Sequence, residues 1–324
     1  MFKETFPPTE TIEKAIDLEQ WLSSEFQTQY ETKAKILNQT GLLEILPESQ
    51  DIGILGIDGK EYPFPEPETI EQELRKHREF YETKMAQGFT ELEIVPFAMP
   101  ISRLIETLKK ELVKHNKEGK LFCTKKNQDD PNEDLVAFEL NEDDPIHVWE
   151  KYIYADETGE LIYDIKEFSE NHGGKTKQEM INELNDSTMP GYLITLREKS
   201  MNIPREGHGE IKGGRKQIEA FKTSKEYLKM LQTDEQYQGE SGQTPEEWLT
   251  EFIAHLKETD QVIDDWKGFG RASFQLGAYF PASSDIPVCR SNRGGRQASL
   301  GRRDPHDSSG FHGARSSVRV RLEV

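Results

Sequence analysis

The sequence predicts an α+β protein with a mainly helical N-terminal region, on three observations. Apolar residues recur at helical spacing over much of the first 120 residues. Short apolar runs bounded by Gly, Pro and Asp punctuate the rest. The chemistry then changes after Lys267: all 26 lysines lie at or before it, and the 57 residues beyond it carry nine arginines and four acids. The chain is −19 overall, with −24 on residues 1–267 and +5 on the remainder. Such asymmetry marks parts with different work or different mutational histories.

The first helix is expected from about Thr11 to Thr40, with Ile12, Ile16, Leu22, Phe26 and Tyr30 on one stripe and Gly41 as its stop. A hairpin follows, because Ile52, Ile54 and Ile57 lead into Asp58-Gly59, a dipeptide that accepts positive φ. The proline-rich EYPFPEPET introduces a second helix bearing Ile70, Leu74, Tyr81 and Met85. A third spans about Ile101 to Lys117, with Leu104, Ile105, Leu108 and Leu112 as its stripe and Gly119 beyond its end. Leu92–Val95 and Lys120–Cys123 read as short strands. The polar loop KKNQDDPNED at 125–134 is the expected boundary between a region 1–134 and a domain 145–324.

Beyond the loop, Leu135–Leu140, Val148–Tyr154, Leu161–Tyr163 and Tyr192–Leu196 are strand-like, interrupted by the helical TKQEMINEL. Residues 207–215 read as a loop, and two helices follow, at about 216–232 and 245–258. Thr244, Pro245 and Glu247 form a strong start for the second, whose apolar face is Trp248, Leu249, Phe252, Ile253 and Leu256. A strand is expected at Ser317–Val320. There is no internal repeat.

Hydrophobic content of 34% and a mean hydropathy of −0.78 are low, but 4 Trp, 10 Tyr and 16 Phe suffice for a core. Cys123 and Cys289 are too few for a disulfide framework or a metal cluster, and suit a reducing compartment. The N-terminus lacks an apolar h-region and no apolar run approaches eighteen residues. A cytoplasmic chain with no signal peptide and no membrane span is therefore expected. The negative charge of residues 1–267 disfavours nucleic acid as their partner.

Few constellations carry chemistry. GHGEIKGGRK at 207–216 lacks the Lys-Ser/Thr ending of a phosphate loop and reads as a connector. The acidic runs NQDDPNED and NEDDP lack the spacing and the Gly of a calcium loop. The eight histidines form no HExxH motif, and His255 reads as a surface or packing residue. His306 and His312, with Asp304 and Asp307 nearby, lie in a segment that looks variable rather than built for coordination. No serine sits in a nucleophile elbow, and Cys289 has no base that sequence can pair with it. Catalytic groups, cofactors and metals are therefore not expected. Arg290, Arg293, Arg296, Arg302 and Arg303, interleaved with Gly and Ser, keep a second reading open: a nucleic-acid- or polyanion-binding protein with a disordered Arg/Gly/Ser-rich tail.

One more restriction marks the tail. Among the 29 residues from Ser284 to His312 only Gln297 belongs to the set Lys, Glu, Gln, Met and Trp, which supplies 93 of the first 267. Those five are the types that no change at the first two bases of an AAC or AAT codon can produce.

With that restriction go LGAYFPAS (276–283), RGGRQASL (293–300), Pro305 and GARSSVRV (313–320). Together they resemble the C-terminal end of variable proteins of diversity-generating retroelements, in the lineage with a C-type-lectin-like fold related to formylglycine-generating enzymes. Upstream, NIPREGHGEIKGGRKQIEA and TPEEWLTEFIAHLKETDQVIDD resemble segments that accompany this ending. The resemblance implies a C-type-lectin-like domain at 145–324 with a diversified segment at 284–312, rewritten when a reverse transcriptase misreads template adenines. Its frame would be Gly277, Tyr279, Phe280, Pro281, Pro287, Arg293, Arg296, Ala298, Leu300, Pro305, Gly313, Arg315 and Val318. Its diversified, ligand-binding positions would be Ser284, Asp285, Val288, Cys289, Arg290, Ser291, Asn292, Ser299, Gly301, Arg302, Arg303, Asp304, His306, Asp307, Ser308, Ser309, Gly310, Phe311 and His312. The calcium motifs of true lectins and the paired cysteines of formylglycine-generating enzymes are absent from the sequence. The expectation is thus a non-enzymatic, hypervariable ligand-binding protein, whose partner is a protein or other macromolecule with an acidic surface. An oxidase-like relative that has lost its cysteines is a third reading.

Overall fold

Asp17 opens the first helical stretch by accepting from the Glu19 amide, and helix runs from Leu18 through a π-helical Leu22–Phe26 to Gln39. The computed structural model describes residues 16–127, 130–185, 188–199 and 202–320; Ile12 and the start expected at Thr11 lie outside them. Gly41, at φ 72°, ends the helix as expected. The hairpin also falls where expected, pairing Ile52–Leu55 with Glu61–Pro63 around Gly59 at φ 73°. The second helix is two, Pro67–Lys76 and Arg78–Ala86, broken at His77. Ile70, Leu74, Tyr81 and Met85 still share one buried side. The third spans Ile101–Lys117.

Two sheets organise the remainder. A four-stranded antiparallel sheet has the order Ser241–Gly242, Ser316–Arg319, Leu193–Glu198, Phe89–Val95. It joins residues from the N-terminal third to the end of the described chain, and one hydrophobic core contains residues from Leu18 to Val320. The loop at 125–134 therefore does not separate two hydrophobic cores. A six-stranded sheet has the order His312–Ala314, Ala272–Phe274, Ile286–Asn292, Gln297–Arg303, Ile146–Val148, with Asp265–Trp266 pairing in parallel to Ser291 and Asn292. Helix and sheet together make the fold α+β with a helical N-terminal region. Among the described residues no helix is long and apolar enough to cross a membrane.

Four local expectations fail. Val148–Tyr154 is a strand only to Val148. It then turns through Glu150–Tyr152 so that the Tyr152 ring meets Trp149 and Phe280 edge-on. The helix expected at 216–232 starts at Ser224, where Thr223 and Glu226 form a reciprocal cap; residues 211–216 instead make a small hairpin that buries Arg215. Lys120–Cys123 and Leu135–Leu140 contribute only isolated bridges, at Phe122 and Ala137.

The helix Pro245–Thr259 has the cap read from Thr244, Pro245 and Glu247, but it is buried on all sides from Pro245 to Leu256. It packs against Gln27–Gln39, Ile101–Lys117, Phe89–Val95 and Ile286–Asn292. Its three buried glutamates each meet a partner. Glu246 accepts from Lys177 Nζ (3.0 Å) and the Tyr163 hydroxyl (2.6 Å), Glu247 accepts from the Ser317 hydroxyl (2.6 Å), and Glu251 pairs with Arg197 (3.7 Å). His255 is a packing residue, pushed down to about 3 by burial and then by Arg197.

Candidate ligand-binding face

The segment expected to vary begins as an antiparallel hairpin, Ile286–Asn292 against Gln297–Arg303, with Val288 opposite Gly301, Arg290 opposite Ser299 and Asn292 opposite Gln297. Its turn is closed by Asn292, whose Oδ1 accepts from the Gly295 amide, and by Arg296 at φ 55°. Asp304 accepts from the His306 amide (2.8 Å) and Ser309 accepts from the Phe311 amide (3.1 Å), shaping the following loop. The chain then re-enters the sheet at His312.

Strand alternation divides these positions between two faces. Cys289, Ser291, Ala298 and Leu300 point inward and are buried. On the other face, Ile286 and Val288 are covered at one end by Tyr227, Leu228 and Leu231 of the helix Ser224–Thr233. Toward the turn that face opens and presents Arg290, Asn292 and Gln297. Trp266, opposite Asn292, joins them, and its ring receives the Arg290 guanidinium at 4.1 Å and Lys267 Nζ at 4.4 Å.

Thirteen of the nineteen expected ligand-binding positions are exposed or half-exposed: Ser284, Arg290, Asn292, Gly301, Arg302, Arg303, Asp304, His306, Asp307, Ser308, Ser309, Gly310 and Phe311. Six are buried: Asp285, Val288, Cys289, Ser291, Ser299 and His312. Cys289 and Ser291 lie under the sheet, Ser291 donating to the Ile263 carbonyl (2.7 Å), so neither offers a surface to a ligand. Asp285 acts on its neighbour instead, accepting from Arg302 Nη1 at 2.9 and 3.0 Å. The four candidate metal residues do not converge: among the described residues no group of three or more His, Cys, Asp or Glu is placed to hold an ion.

The face is less cationic than its sequence. Arg302 is balanced by Asp285, Arg303 stands 3.8 Å from Asp307, and His306 Nδ1 is 2.9 Å from Asp304. Arg290 has no carboxylate within salt-bridge distance among the described residues. Burial and then Arg303 pull its guanidinium below the ordinary range. His312 stacks on Phe274 at 5.4 Å and is pushed down to about 4 by burial, with repulsion from Arg303 and Arg290 adding to it.

His312 yields a pH prediction. The unfolded chain takes up this proton near 6.5 and the folded chain only near 4. The unfolded state thus binds more protons in that window, and stability falls as pH falls from about 6.5 toward 4. His255 contributes with the same sign, so H312Q should flatten the acid slope of the urea midpoint without abolishing it. An unchanged slope in H312Q would contradict the assignment.

What holds the face lies upstream of it. Asp264 and Asp265 are adjacent and fully buried, and each takes one arginine of the tail. Asp264 accepts from Arg315 Nη1 and Nη2, both at 2.7 Å, and from Trp248 Nε1 at 2.8 Å. Asp265 accepts from Arg293 Nε at 2.7 and 2.9 Å, and also from its Nη2. Gly268 leaves room for the second pair, since a Cβ there would meet both the Asp265 carboxylate and the Arg293 guanidinium. The backbone carbonyl of Asp264 also accepts from the Ser291 amide (3.0 Å). Sequence reading found Arg293 and Arg315 but missed their aspartates. It also missed Trp266 and Lys267, which stand at the charge boundary and were a usable signal.

Comparison of the chain with family models, with curated proteins and with solved structures finds no match in any of the three.

Proposed function

We propose that this chain is a non-enzymatic ligand-binding protein that displays a hypervariable surface, written by adenine-directed retroelement mutagenesis, on a C-type-lectin-like scaffold. The observation that carries the reading is the division of the C-terminal segment by burial. Gly277, Tyr279, Phe280, Pro287, Ala298, Leu300, Pro305, Gly313 and Val318, expected as frame, are buried, and Arg293 and Arg315 are tied to Asp265 and Asp264. Thirteen of the nineteen positions expected to vary are accessible, while of the frame Pro281, Arg293, Arg296 and Arg315 are not fully buried. A surface that must accept many side chains needs support that does not depend on them, as loops on a rigid scaffold provide. Burial narrows the variable surface from nineteen positions to thirteen.

Both thiols are poor nucleophiles, which supports the non-enzymatic reading: burial pushes Cys123 up to about 11 and Cys289 well above its ordinary value. Against a disordered basic tail stand the paired strands 286–292 and 297–303. The partner is a protein or other macromolecule, and Arg290 favours an acidic surface on it. Its affinity should therefore weaken from low to high salt.

The test is genomic. The DNA near the gene should hold a near-copy of the segment encoding residues 284–312, differing almost only at template adenines and accompanied by a reverse-transcriptase gene. Sibling genes identical across this segment, with no such copy beside them, would overturn the proposal.

A further inference from the structure

We infer that an oxyanion-binding pocket, fixed except at its diversified edge, borders the variable face, formed by Arg271, Lys267 and Arg205 with the rings of Phe221 and Phe311, and that it takes a carboxylate or phosphate borne on a flat apolar group. This rests on the proposed function only for its place beside a variable surface; the pocket's chemistry stands without it.

The argument begins with Arg271. Only 4% of it is exposed, yet it has no carboxylate within salt-bridge distance among the described residues. Its Nη1 donates to the backbone carbonyls of Gly270 (2.8 Å) and Phe269 (3.4 Å), and its Nε is buried with no partner. Burial and then repulsion from Arg205 pull it below the ordinary range. The other buried arginines are treated differently: Arg197 meets Glu93 and Glu251, and Arg215 meets Glu240 and Glu198. A guanidinium withdrawn from water without a counter-charge is costly, and a bound anion would supply that charge.

Arg271 lines an open cleft of about 520 Å³ together with Arg205, Lys267, Glu206, His208, Phe221 and Phe311. Three cations face one carboxylate, Glu206, so the cleft favours an anion. Lys267 and Arg205, like Arg271, make no ion pair with a carboxylate among the described residues. Phe221 and Phe311, which also line the cleft, are 52% and 55% exposed and so offer ring surface to a ligand. Phe221 is held there at φ 86°, a conformation rare for a bulky residue, while its amide donates to the His312 carbonyl (3.2 Å). A cleft lined by both cations and phenyl rings suits an aryl oxyanion, through charge-assisted hydrogen bonds and stacking. Because Arg205, Phe221, Lys267 and Arg271 precede Ser284, sibling proteins would share the pocket and differ chiefly at Gly310 and Phe311.

The test is titration of the full chain with phenyl phosphate, benzoate and neutral benzamide, read by calorimetry or ligand-observed NMR. At least one of the anions should bind ten-fold or more tightly than benzamide, and the tighter of the two identifies phosphate or carboxylate as the natural group. Binding should fall at least ten-fold in R205Q/K267Q, whose exposed substitutions spare the core, and in R271M, whose melting temperature should hold or rise. Equal binding of benzamide and both anions, or undiminished anion binding in R205Q/K267Q, would overturn the pocket. Neither result depends on whether the gene is diversified, so failure here is distinguishable from failure of the proposed function.

Discussion

Lys177→Met is expected to be among the most damaging single substitutions in this chain. The Lys177 ammonium is fully buried and donates to Asp156 Oδ2 (2.7 Å), Glu246 Oε1 (3.0 Å) and the Met99 carbonyl (2.7 Å). Burial pulls the ammonium's pKa down, but Glu246 and Asp156 together raise it above its ordinary value. Removing it leaves two carboxylates inside the protein with no cation between them, a loss of about 3–5 kcal/mol. That is a large share of the roughly 5–15 kcal/mol by which folded proteins are stable. Asp156 also accepts from the Ile101 amide (2.8 Å), so the helix Ile101–Lys117 would loosen at its start. Denaturant midpoints should show the loss, and K177M/D156N/E246Q should recover most of it because no net charge is then buried. A wild-type midpoint for K177M alone would show that the triad is not what stabilises this region.

Asp264→Asn should have a comparable effect, expressed in the C-terminal sheet. Asn tolerates the φ of 49° at this position, so the substitution isolates the charge from the backbone. It takes the carboxylate away from a largely covered Arg315 and weakens the acceptor of Trp248 Nε1, at a cost of about 3 kcal/mol. The damage should spread along the strand Ser316–Arg319 that follows Arg315. Hydrogen exchange should therefore quicken in Leu193–Glu198 as well, which pairs with that strand. Faster exchange confined to residues next to Asp264 would refute the coupling.

Local order was legible in the sequence wherever a few neighbouring residues decide it. The helix at 245–259 was marked by Thr244, Pro245 and Glu247, and the hairpin by Asp58-Gly59. Interior charge was not legible. Glu246, Glu247 and Glu251 look like the solvated side of an amphipathic helix, and their partners Lys177, Ser317 and Arg197 lie 54 to 70 residues away. Nothing local announces such pairs. The start of the helix at Ser224 was missed because residues 211–216 are held by a hairpin, and Arg215 is drawn inward by Glu240.

The candidate site shows the same division. The restricted alphabet of residues 284–312 marked a stretch that forms a hairpin and loop, because it concerns the segment itself. It did not separate Arg290 from Cys289, a distinction made by the alternation of a strand whose ends the sequence did not show. Lys267, noted only as the charge boundary, and Arg271 were not read as site residues because they precede the restricted segment and are placed by Asp265–Trp266 and Ala272–Phe274.

The order of strands in the four-stranded sheet bears on how the chain is made. Leu193–Glu198 emerges from the ribosome with Phe89–Val95 already available on one edge, but its other neighbour, Ser316–Arg319, does not yet exist. During that interval an unpaired, largely apolar strand edge is open to other nascent chains. Full-length protein and a chain arrested before Ser316 should therefore differ in aggregation more than in secondary structure, with the late strand serving as the native cover for that edge.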